Sequence, residues 1–179
     1  MLYPEGMRET SPTHLPEPVS QGSKEKWVIQ IAWQLGEPVN DQKTKSTTLE
    51  RDNCFACSSN NPRGLRLDFR QEEDGAMIAE WIPETDLEGY RGIIHGGLVS
   101  TVLDEAMAKV VAASGCGALT AELRVRFREQ VASRSAVRVK GWIESHGRRM
   151  IRTEASLAAP DGKELAHAWA TFLPVKWPV

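Results

Sequence analysis

The stretch GYRGIIHGGLVSTVLDEAMA combines a histidine, two adjacent glycines and two adjacent acids within an otherwise apolar run. His95 precedes Gly96 and Gly97, and the acids Asp104 and Glu105 follow. The first turn of a helix has unpaired N–H groups and the positive end of the helix dipole, and glycines there let a carbonyl oxygen or an anion approach the backbone. A donor aimed at a developing oxyanion, with a carboxylate nearby, suits acyl transfer. A tight helix entry with ordinary packing explains the same glycines equally well.

The two acids face different directions if this stretch is helical, because successive residues are about 100° apart. Glu105 lies four residues before Lys109, the favourable order for an exposed ion pair, and is predicted to be a solvated surface residue. Asp104 has Ser100 and Ala108 on its own face and no basic residue there. Aspartate is a poor interior helix former, so an unpaired, partly buried Asp104 indicates a functional role.

The composition is typical of a soluble globular protein, with 41% hydrophobic and 26% charged residues. The 179 residues predict one domain plus an extra segment. A formal net charge of −2 gives no reason to expect nucleic acid or an anionic membrane as a partner. No apolar run approaches the roughly 18 residues that span a bilayer. The N-terminus, MLYPEGMRETSPTHLPEP, resembles neither a secretory signal nor a transit peptide.

The three cysteines are Cys54, Cys57 and Cys116, an odd number that does not suit a disulfide framework. A reducing cytoplasm is therefore the predicted location. Cys54 and Cys57 have the spacing of half a zinc site, but the four histidines are isolated and provide no second pair of ligands. The sequence predicts two cysteines in a turn-rich loop, with no metal site and no redox pair.

The chain divides into an N-terminal extension, 1–53, and a globular domain, 54–179. Residues 1–23 are rich in Pro, Ser, Thr and Glu and are predicted to be disordered. Apolar residues in 24–36 fit either a strand or a helix, and two tryptophans there indicate a short docking element. Residues 37–53 have the composition of a polar linker.

The pattern of the domain predicts two strands, one long helix and four more strands. The first two strands are LRLDFRQ and AMIAEWIP, and the helix covers 97–113. TAELRVRFRE, SAVRVKGWIES, MIRTEASLAA and LAHAWATFLPV follow, joined mostly by short turns that imply antiparallel neighbours. Because the helix is almost entirely apolar, the sheet must wrap it. The predicted class is α+β, with one antiparallel sheet curled around one buried helix.

Three separated segments carry a family resemblance, in order along the chain. His95-Gly96-Gly97, six further residues and Asp104 resemble the HGG-x6-D segment of hotdog-fold acyl-CoA thioesterases of the phenylacetic acid degradation type. CFACSSNNPRGLRL is similar to the entry segment of one branch of that family, and TAELRVRFREQV is similar to its post-helix strand. The resemblance covers roughly 54–175, and the predicted element order agrees with the hotdog fold.

The resemblance implies a homodimer, or a dimer of dimers, that binds acyl-CoA between subunits and hydrolyses it without a cofactor. The Gly96 N–H, with Gly97 as a further substrate contact, would polarise the thioester carbonyl. Asp104, contributed by the partner subunit's helix, would act as general base or nucleophile. His95 would shape the helix entry or donate a hydrogen bond near the thioester. Thr120 stands where related enzymes place a hydroxyl that orients water or carboxylate, although an ordinary strand threonine is the simpler interpretation.

Basic residues at positions 124, 126, 128, 138 and 140 form a stripe on the predicted strands. A solvated sheet surface is the favoured interpretation. The alternative is that Arg126 and Arg128 contact the phosphates of coenzyme A, because guanidinium groups suit phosphate recognition. Aromatic residues do not interleave with these arginines as they would on a nucleic-acid-binding surface.

Two observations keep other functions open. Many members of the resembled family carry an amide or acid shortly before the histidine, whereas this chain has no Asn or Gln in 88–92 and offers only Glu88, as a polar partner or a loop acid. A non-catalytic acyl-CoA-binding module is therefore the main alternative. LDEAMA also resembles the helix of hotdog dehydratases, with Glu105 as the acid, but 84–94 lacks the histidine-bearing loop that such proton transfer requires.

Overall fold

The computed structural model describes residues 53–175, and the structural statements below refer to that part of the chain. The disorder predicted for 1–23 and the docking element predicted for 24–36 lie outside it, as does all but the last residue of the 37–53 linker. Within 53–175, no helix is long and apolar enough to cross a membrane.

One long helix and eight strands make up the domain. The strands are β1 (Arg70–Gln71), β2 (Met77–Trp81), β3 (Glu88–Tyr90), β4 (Ile93–Ile94), β5 (Ala118–Phe127), β6 (Val137–His146), β7 (Ile151–Ala158) and β8 (Glu164–Pro174). The helix, α1, is Gly96–Ala113 and begins one residue before the predicted start. A short 3-10 helix, Thr85–Leu87, precedes β3.

Six strands form one antiparallel sheet in the order β1-β2-β6-β7-β8-β5, and β3 and β4 pair separately. β5 directly follows α1, yet it pairs with the last strand and lies at the edge of the sheet. The α+β class and the antiparallel arrangement are confirmed.

The sheet packs one face against α1, as the apolar sequence of the helix requires. The helix buries eight residues, seven of them apolar: Val99, Val102, Leu103, Glu105, Ala106, Met107, Val110 and Val111. The closest approach is at Gly141 of β6, where an added Cβ would lie 2.6 Å from the carbonyl carbon and oxygen of Ala106. Only a residue without a side chain fits there, because that separation is far inside van der Waals contact.

The predicted strand at LRLDFRQ is wrong for most of its length. Only its last two residues belong to a strand, β1. Arg66 has a φ of 54°, in the left-handed region, which interrupts an extended conformation. The apolar residues are nevertheless turned inward as the alternation predicts: Leu67 is buried, and Leu65 and Phe69 pack against the core.

We expect Gly141→Ala to destabilise the domain by about 1–3 kcal/mol, because the new methyl group forces α1 away from β6. Chemical denaturation monitored by circular dichroism measures this loss. Gly117→Ala is the matched control, because its added Cβ meets nothing closer than the Val175 carbonyl oxygen at 3.7 Å. Equal stability of the two variants would contradict the proposed tight contact.

Candidate active site

The entry to α1 is capped by His95. Its Nδ1 accepts a hydrogen bond from the Gly97 N–H at 3.0 Å, which satisfies one of the unpaired donors of the first turn. A Cβ on Gly97 would lie 3.0 Å from that same Nδ1, so the glycine makes room for the capping ring. The Gly97 N–H therefore already has an acceptor within the chain. The Gly96 N–H is the better candidate for a hydrogen-bond donor to a substrate carbonyl oxygen.

Gly96 is the first residue of α1, so its N–H has no acceptor within the helix. It is exposed and lines an open groove of about 430 Å³ together with Ile94, Phe127 and Arg128. A Cβ on Gly96 would lie 3.4 Å from Cζ of Phe127, which places that half-exposed ring beside the helix entry. Alternation along TAELRVRFRE puts Phe127 on the same strand face as Leu123 and Val125 but does not indicate this contact with the helix entry.

Asp104 lies in the middle of α1 and is half-buried. The hydroxyl of Thr120, on β5, donates a hydrogen bond to its Oδ1 at 2.9 Å. The preferred interpretation of Thr120 as an ordinary strand residue is wrong in this respect, since its side chain is directed to the helix. The description of Asp104 as unpaired is wrong for the same reason.

A β-bulge explains why Thr120 faces α1. The pairing of β5 with β8 shifts register between Thr120 and Glu122. Before the shift Thr120 lies opposite the buried Phe172, and after it Glu122 lies opposite Thr171 on the outer face. An extra residue in a strand reverses which face the following side chains occupy. Unbroken alternation would have put Thr120 on the same face as Arg124.

Glu105 is not the solvated residue that the sequence predicts. It is only 8% exposed, although the predicted pair with Lys109 does form, with Nζ 3.8 Å from Oε1. Its other oxygen, Oε2, accepts a hydrogen bond from Cys54 Sγ at 3.8 Å. Burial raises the pKa of the Cys57 thiol to about 11, and a hydrogen bond to Glu105 adds to the rise. The loop that carries Cys54 and Cys57, the CxxC loop, therefore covers Glu105, an arrangement that no local sequence pattern indicates.

Asp104 and Gly96 of one chain cannot act on the same carbonyl group. They are eight residues apart on a continuous helix, which corresponds to about 12 Å at a rise of 1.5 Å per residue. Reacting atoms must approach to about 3 Å of both the base and the oxyanion donor. One chain therefore holds the two parts of the candidate site at separate places.

Glu88 stands where the resembled family carries an amide or acid. It accepts a hydrogen bond from the Ser133 hydroxyl at 2.6 Å, which lowers the pKa of the carboxyl group. The neighbouring Gly89 is close to the capping histidine, since an added Cβ would lie 3.1 Å from the His95 Cα. Glu88 thus helps to hold the segment that leads into α1.

The residues of the basic stripe do not form one continuous surface. They lie on two faces, and several of them pair with acids. Arg124 stacks on the Trp169 ring at 4.3 Å, and Arg126 lies opposite His167 on the same outer face, away from α1. Arg128 forms an ion pair with Glu164 at 2.5 Å and also lines the groove at Gly96. Of the two arginines predicted to contact phosphate, the structure brings only Arg128 near the helix entry, and the role of both remains a prediction.

Comparison with solved structures identifies the architecture as the hotdog fold. The thioesterase superfamily protein RHA08564 is 18% identical and superposes with a TM-score of 0.67 over 89% of this chain and 86% of its own. A hypothetical thioesterase from Streptococcus pneumoniae, solved with coenzyme A, is 18% identical with a TM-score of 0.59 over 63% and 88% of the two chains. The Escherichia coli PaaI protein, from the phenylacetic acid degradation operon, is 14% identical with a TM-score of 0.57 over 61% and 83%.

Residues 91–166, which include α1 and most of the main sheet, match the thioesterase superfamily family model. This partial match and the similarity in fold agree with the resemblance of the motifs to hotdog-fold thioesterases. An uncharacterized protein of Schizosaccharomyces pombe is 40% identical over 40 residues, which is 22% of this chain. The match covers only 23% of that yeast protein's length.

We expect His95→Ala to destabilise the domain by about 1 kcal/mol, because the Gly97 N–H loses its acceptor. His95→Asn should recover that loss, since the asparagine side chain is among the best N-caps. Thermal unfolding of the three proteins measures the difference. A stable His95→Asn protein with impaired thioester turnover would show that the imidazole acts on the substrate beyond capping.

Proposed function

We propose that the protein is an acyl-CoA thioesterase of the phenylacetic acid degradation type, which hydrolyses a thioester to a free carboxylate and coenzyme A. The observation that carries the proposal is the Thr120–Asp104 hydrogen bond, which orients a half-buried carboxylate at a fixed position on α1. The match of residues 91–166 to the thioesterase superfamily model supports the class of reaction. A coenzyme A complex of the Streptococcus pneumoniae protein supports the class of substrate.

Two mutant structures of that Streptococcus pneumoniae protein add support for the pair. One carries a threonine replaced by alanine and the other an aspartate replaced by alanine, and the two positions are 16 residues apart. Asp104 and Thr120 are separated by the same 16 residues. This agreement in residue type and spacing favours the two side chains as one functional unit.

The proposed reaction assigns a separate role to each end of the site. The Gly96 N–H donates to the thioester oxygen and stabilises the negative charge that develops there. Asp104 removes a proton from water, which attacks the carbonyl carbon; alternatively, its carboxylate attacks directly and the acyl-enzyme anhydride is then hydrolysed. The tetrahedral intermediate collapses, the C–S bond breaks, and the coenzyme A thiolate takes up a proton. Thr120 holds the Asp104 carboxylate in the orientation needed for either route.

The separation of Gly96 and Asp104 within one chain supports a homodimer. β5 is an edge strand of ten residues, with Leu119, Leu123 and Phe127 all more than a third exposed. Such an edge is a template for pairing with another strand. We propose that two β5 strands meet, so that Asp104 of one subunit faces the Gly96 groove of its partner.

A dehydratase that uses Glu105 fits the site less well. The Glu105 carboxylate is buried and contacts Lys109 and Cys54. An acid engaged in this way is poorly placed to donate a proton to a hydroxyl group on a substrate. Failure to hydrate a crotonyl thioester would agree with this conclusion.

We expect Asp104→Asn to lower kcat/KM for acyl-CoA hydrolysis by about 100- to 10,000-fold. Thr120→Val should lower it by roughly 10- to 100-fold because the carboxylate loses its orientation, and Thr120→Ser should restore most of the rate. Release of free thiol from an acyl-CoA panel is the assay. Asp161→Asn, an exposed turn aspartate, serves as the control.

Unchanged turnover in Asp104→Asn would contradict the assigned role. Tight binding of coenzyme A esters by the wild-type protein, with no turnover across the panel, would instead favour the non-catalytic binding module.

Gly96→Pro tests the oxyanion donor. Proline removes the N–H, yet it is well tolerated at the first position of a helix, and the preceding His95 already has the extended ψ of 127° that proline favours. We expect kcat to fall about 100- to 1,000-fold. Gly96→Ala keeps the N–H and adds a methyl group 3.4 Å from Phe127, so it is the matched control.

Mixed dimers test whether the site is shared between subunits. A dimer of one Gly96→Pro chain and one Asp104→Asn chain, purified through two different tags, keeps one intact site of two and should have about half of the wild-type activity. If each chain formed its own site, the mixed dimer would be as inactive as its parents.

A further inference from the structure

The cluster formed by Cys54, Cys57 and Glu105 has no part in the proposed hydrolysis. Each of these residues offers a ligand atom, and the three atoms lie within 4.8 Å of one another. The separation between Cys54 Sγ and Glu105 Oε2 is 3.8 Å. The cysteines lie on the CxxC loop and Glu105 lies on α1, so the cluster is at the junction between the two. The two cysteines are half-buried and Glu105 is buried.

The loop that presents the cysteines is closely tied by its backbone. The Ser58 N–H donates to the Cys54 carbonyl oxygen at 3.0 Å, which closes one turn around the CxxC segment. The Leu65 N–H donates to the Phe55 carbonyl oxygen at 2.8 Å. A Cβ on Gly64 would lie 2.7 Å from that same Phe55 oxygen, so the loop can close there only with glycine. The cysteines are therefore held over α1 by the loop backbone.

We propose that Cys54, Cys57 and Glu105 bind a thiophilic divalent cation of the Zn²⁺ type. Two thiolates and a carboxylate are ligands that Zn²⁺ accepts, at distances of about 2.0–2.3 Å in tetrahedral geometry. Such geometry places neighbouring ligand atoms about 3.3–3.8 Å apart. The observed 3.8 Å between Cys54 Sγ and Glu105 Oε2 already falls in that range. Water completes the fourth position, and two thiol protons are released to solvent as the cation binds.

The charges around the cluster suit a divalent cation. Two thiolates and one carboxylate exceed the cation by a single negative charge. The Lys109 ammonium group, 3.8 Å from Glu105 Oε1, offsets that charge. One carboxylate oxygen thus faces the cysteines while the other faces the lysine, an arrangement in which the outer partner orients the ligand. A bound cation leaves this partly buried site close to neutral, as burial requires.

The bound cation would fasten the segment before β1 to the residue next to Asp104. Its role is therefore to stabilise the catalytic helix, and it takes no part in the reaction itself. The proposal stands whether or not the protein hydrolyses acyl-CoA, because it rests on a separate face of α1.

The test uses the full chain, reduced and stripped of metal with a chelator. Elemental analysis after incubation with Zn²⁺ and removal of excess should give one zinc per chain. Titration with Co²⁺ should give thiolate-to-metal charge-transfer absorption, which Zn²⁺ then abolishes. Zn²⁺ at a hundredfold excess over its Kd should raise Tm by about 5–11 °C.

Three variants locate the site. The Cys54→Ser, Cys57→Ser double variant should lose stoichiometric binding, and Glu105→Gln should weaken it by about 10- to 100-fold. Cys116→Ser is the matched control, because it removes a half-buried cysteine outside the cluster and should bind as the wild type does.

A measurement on the unchanged protein guards against variants that fail to fold. Zn²⁺ should protect two of the three cysteines from alkylation, and a chelator should reverse the protection. Absence of zinc from the reduced wild-type chain overturns the proposal, as does equal binding in the double cysteine variant. A Co²⁺ complex without thiolate absorption also overturns it. So does a Cys54–Cys57 disulfide whose reduced form binds no metal.

Discussion

The contact between the bare backbone of Gly141 and the carbonyl group of Ala106 determines how closely α1 approaches the sheet. Helix and sheet can meet at this distance only where no side chain intervenes. Ala106 directly follows the two acids, so the contact also determines their height above the sheet. Asp104 then reaches β5 on one side, while Glu105 reaches the CxxC loop on the other. The packing of Gly141 against Ala106 thus positions both the Asp104–Thr120 pair and the cluster of Glu105 with the CxxC loop.

The bulge in β5 makes the edge strand serve two purposes. Beyond the bulge, Val125 and Phe127 face α1, while Arg124 lies over Trp169 on the outer face. Before the bulge, the side chains alternate between the two faces in the opposite sense. Thr120 therefore points inward and donates to Asp104. A regular strand would have left the hydroxyl on the wrong face. Bulges occur beside functional sites for this reason, since they redirect one side chain without disturbing the rest of a sheet.

The helix and the later strands could be predicted from the sequence because the pattern of apolar residues is local. The period of α1 and the alternation of the later strands each identify an element within a single window. Asp104 could be singled out in the same way, since its helix face carries no cation within one turn. The strand predicted at LRLDFRQ was wrong because alternation indicates only which side chains are buried. A loop with Arg66 at positive φ packs on the core and buries the same apolar residues.

The errors on individual site residues have a different origin, because they depend on distant segments. Glu105 is covered by a cysteine 51 residues away in the chain, and no local pattern reports such a contact. The pairing of Thr120 depends on a bulge that only the register with β8 reveals. His95 was predicted to shape the helix entry or to donate a hydrogen bond near the thioester, and the structure shows it as the cap of α1, which is a local motif. Local motifs could therefore be interpreted from the sequence, whereas contacts across the fold could not.

The position of β5 at the edge has a consequence for motion. Within the main sheet, β5 is hydrogen-bonded to β8 alone, so one row of its backbone groups lacks a neighbouring strand among the described residues. Segments of this kind open locally at a lower free energy than central strands, and their amide hydrogens exchange sooner with solvent. Opening β5 withdraws Thr120 from Asp104 and Phe127 from Gly96 in the same event. The two ends of the candidate site would then lose their order together, and a second strand paired to this edge would slow both losses at once.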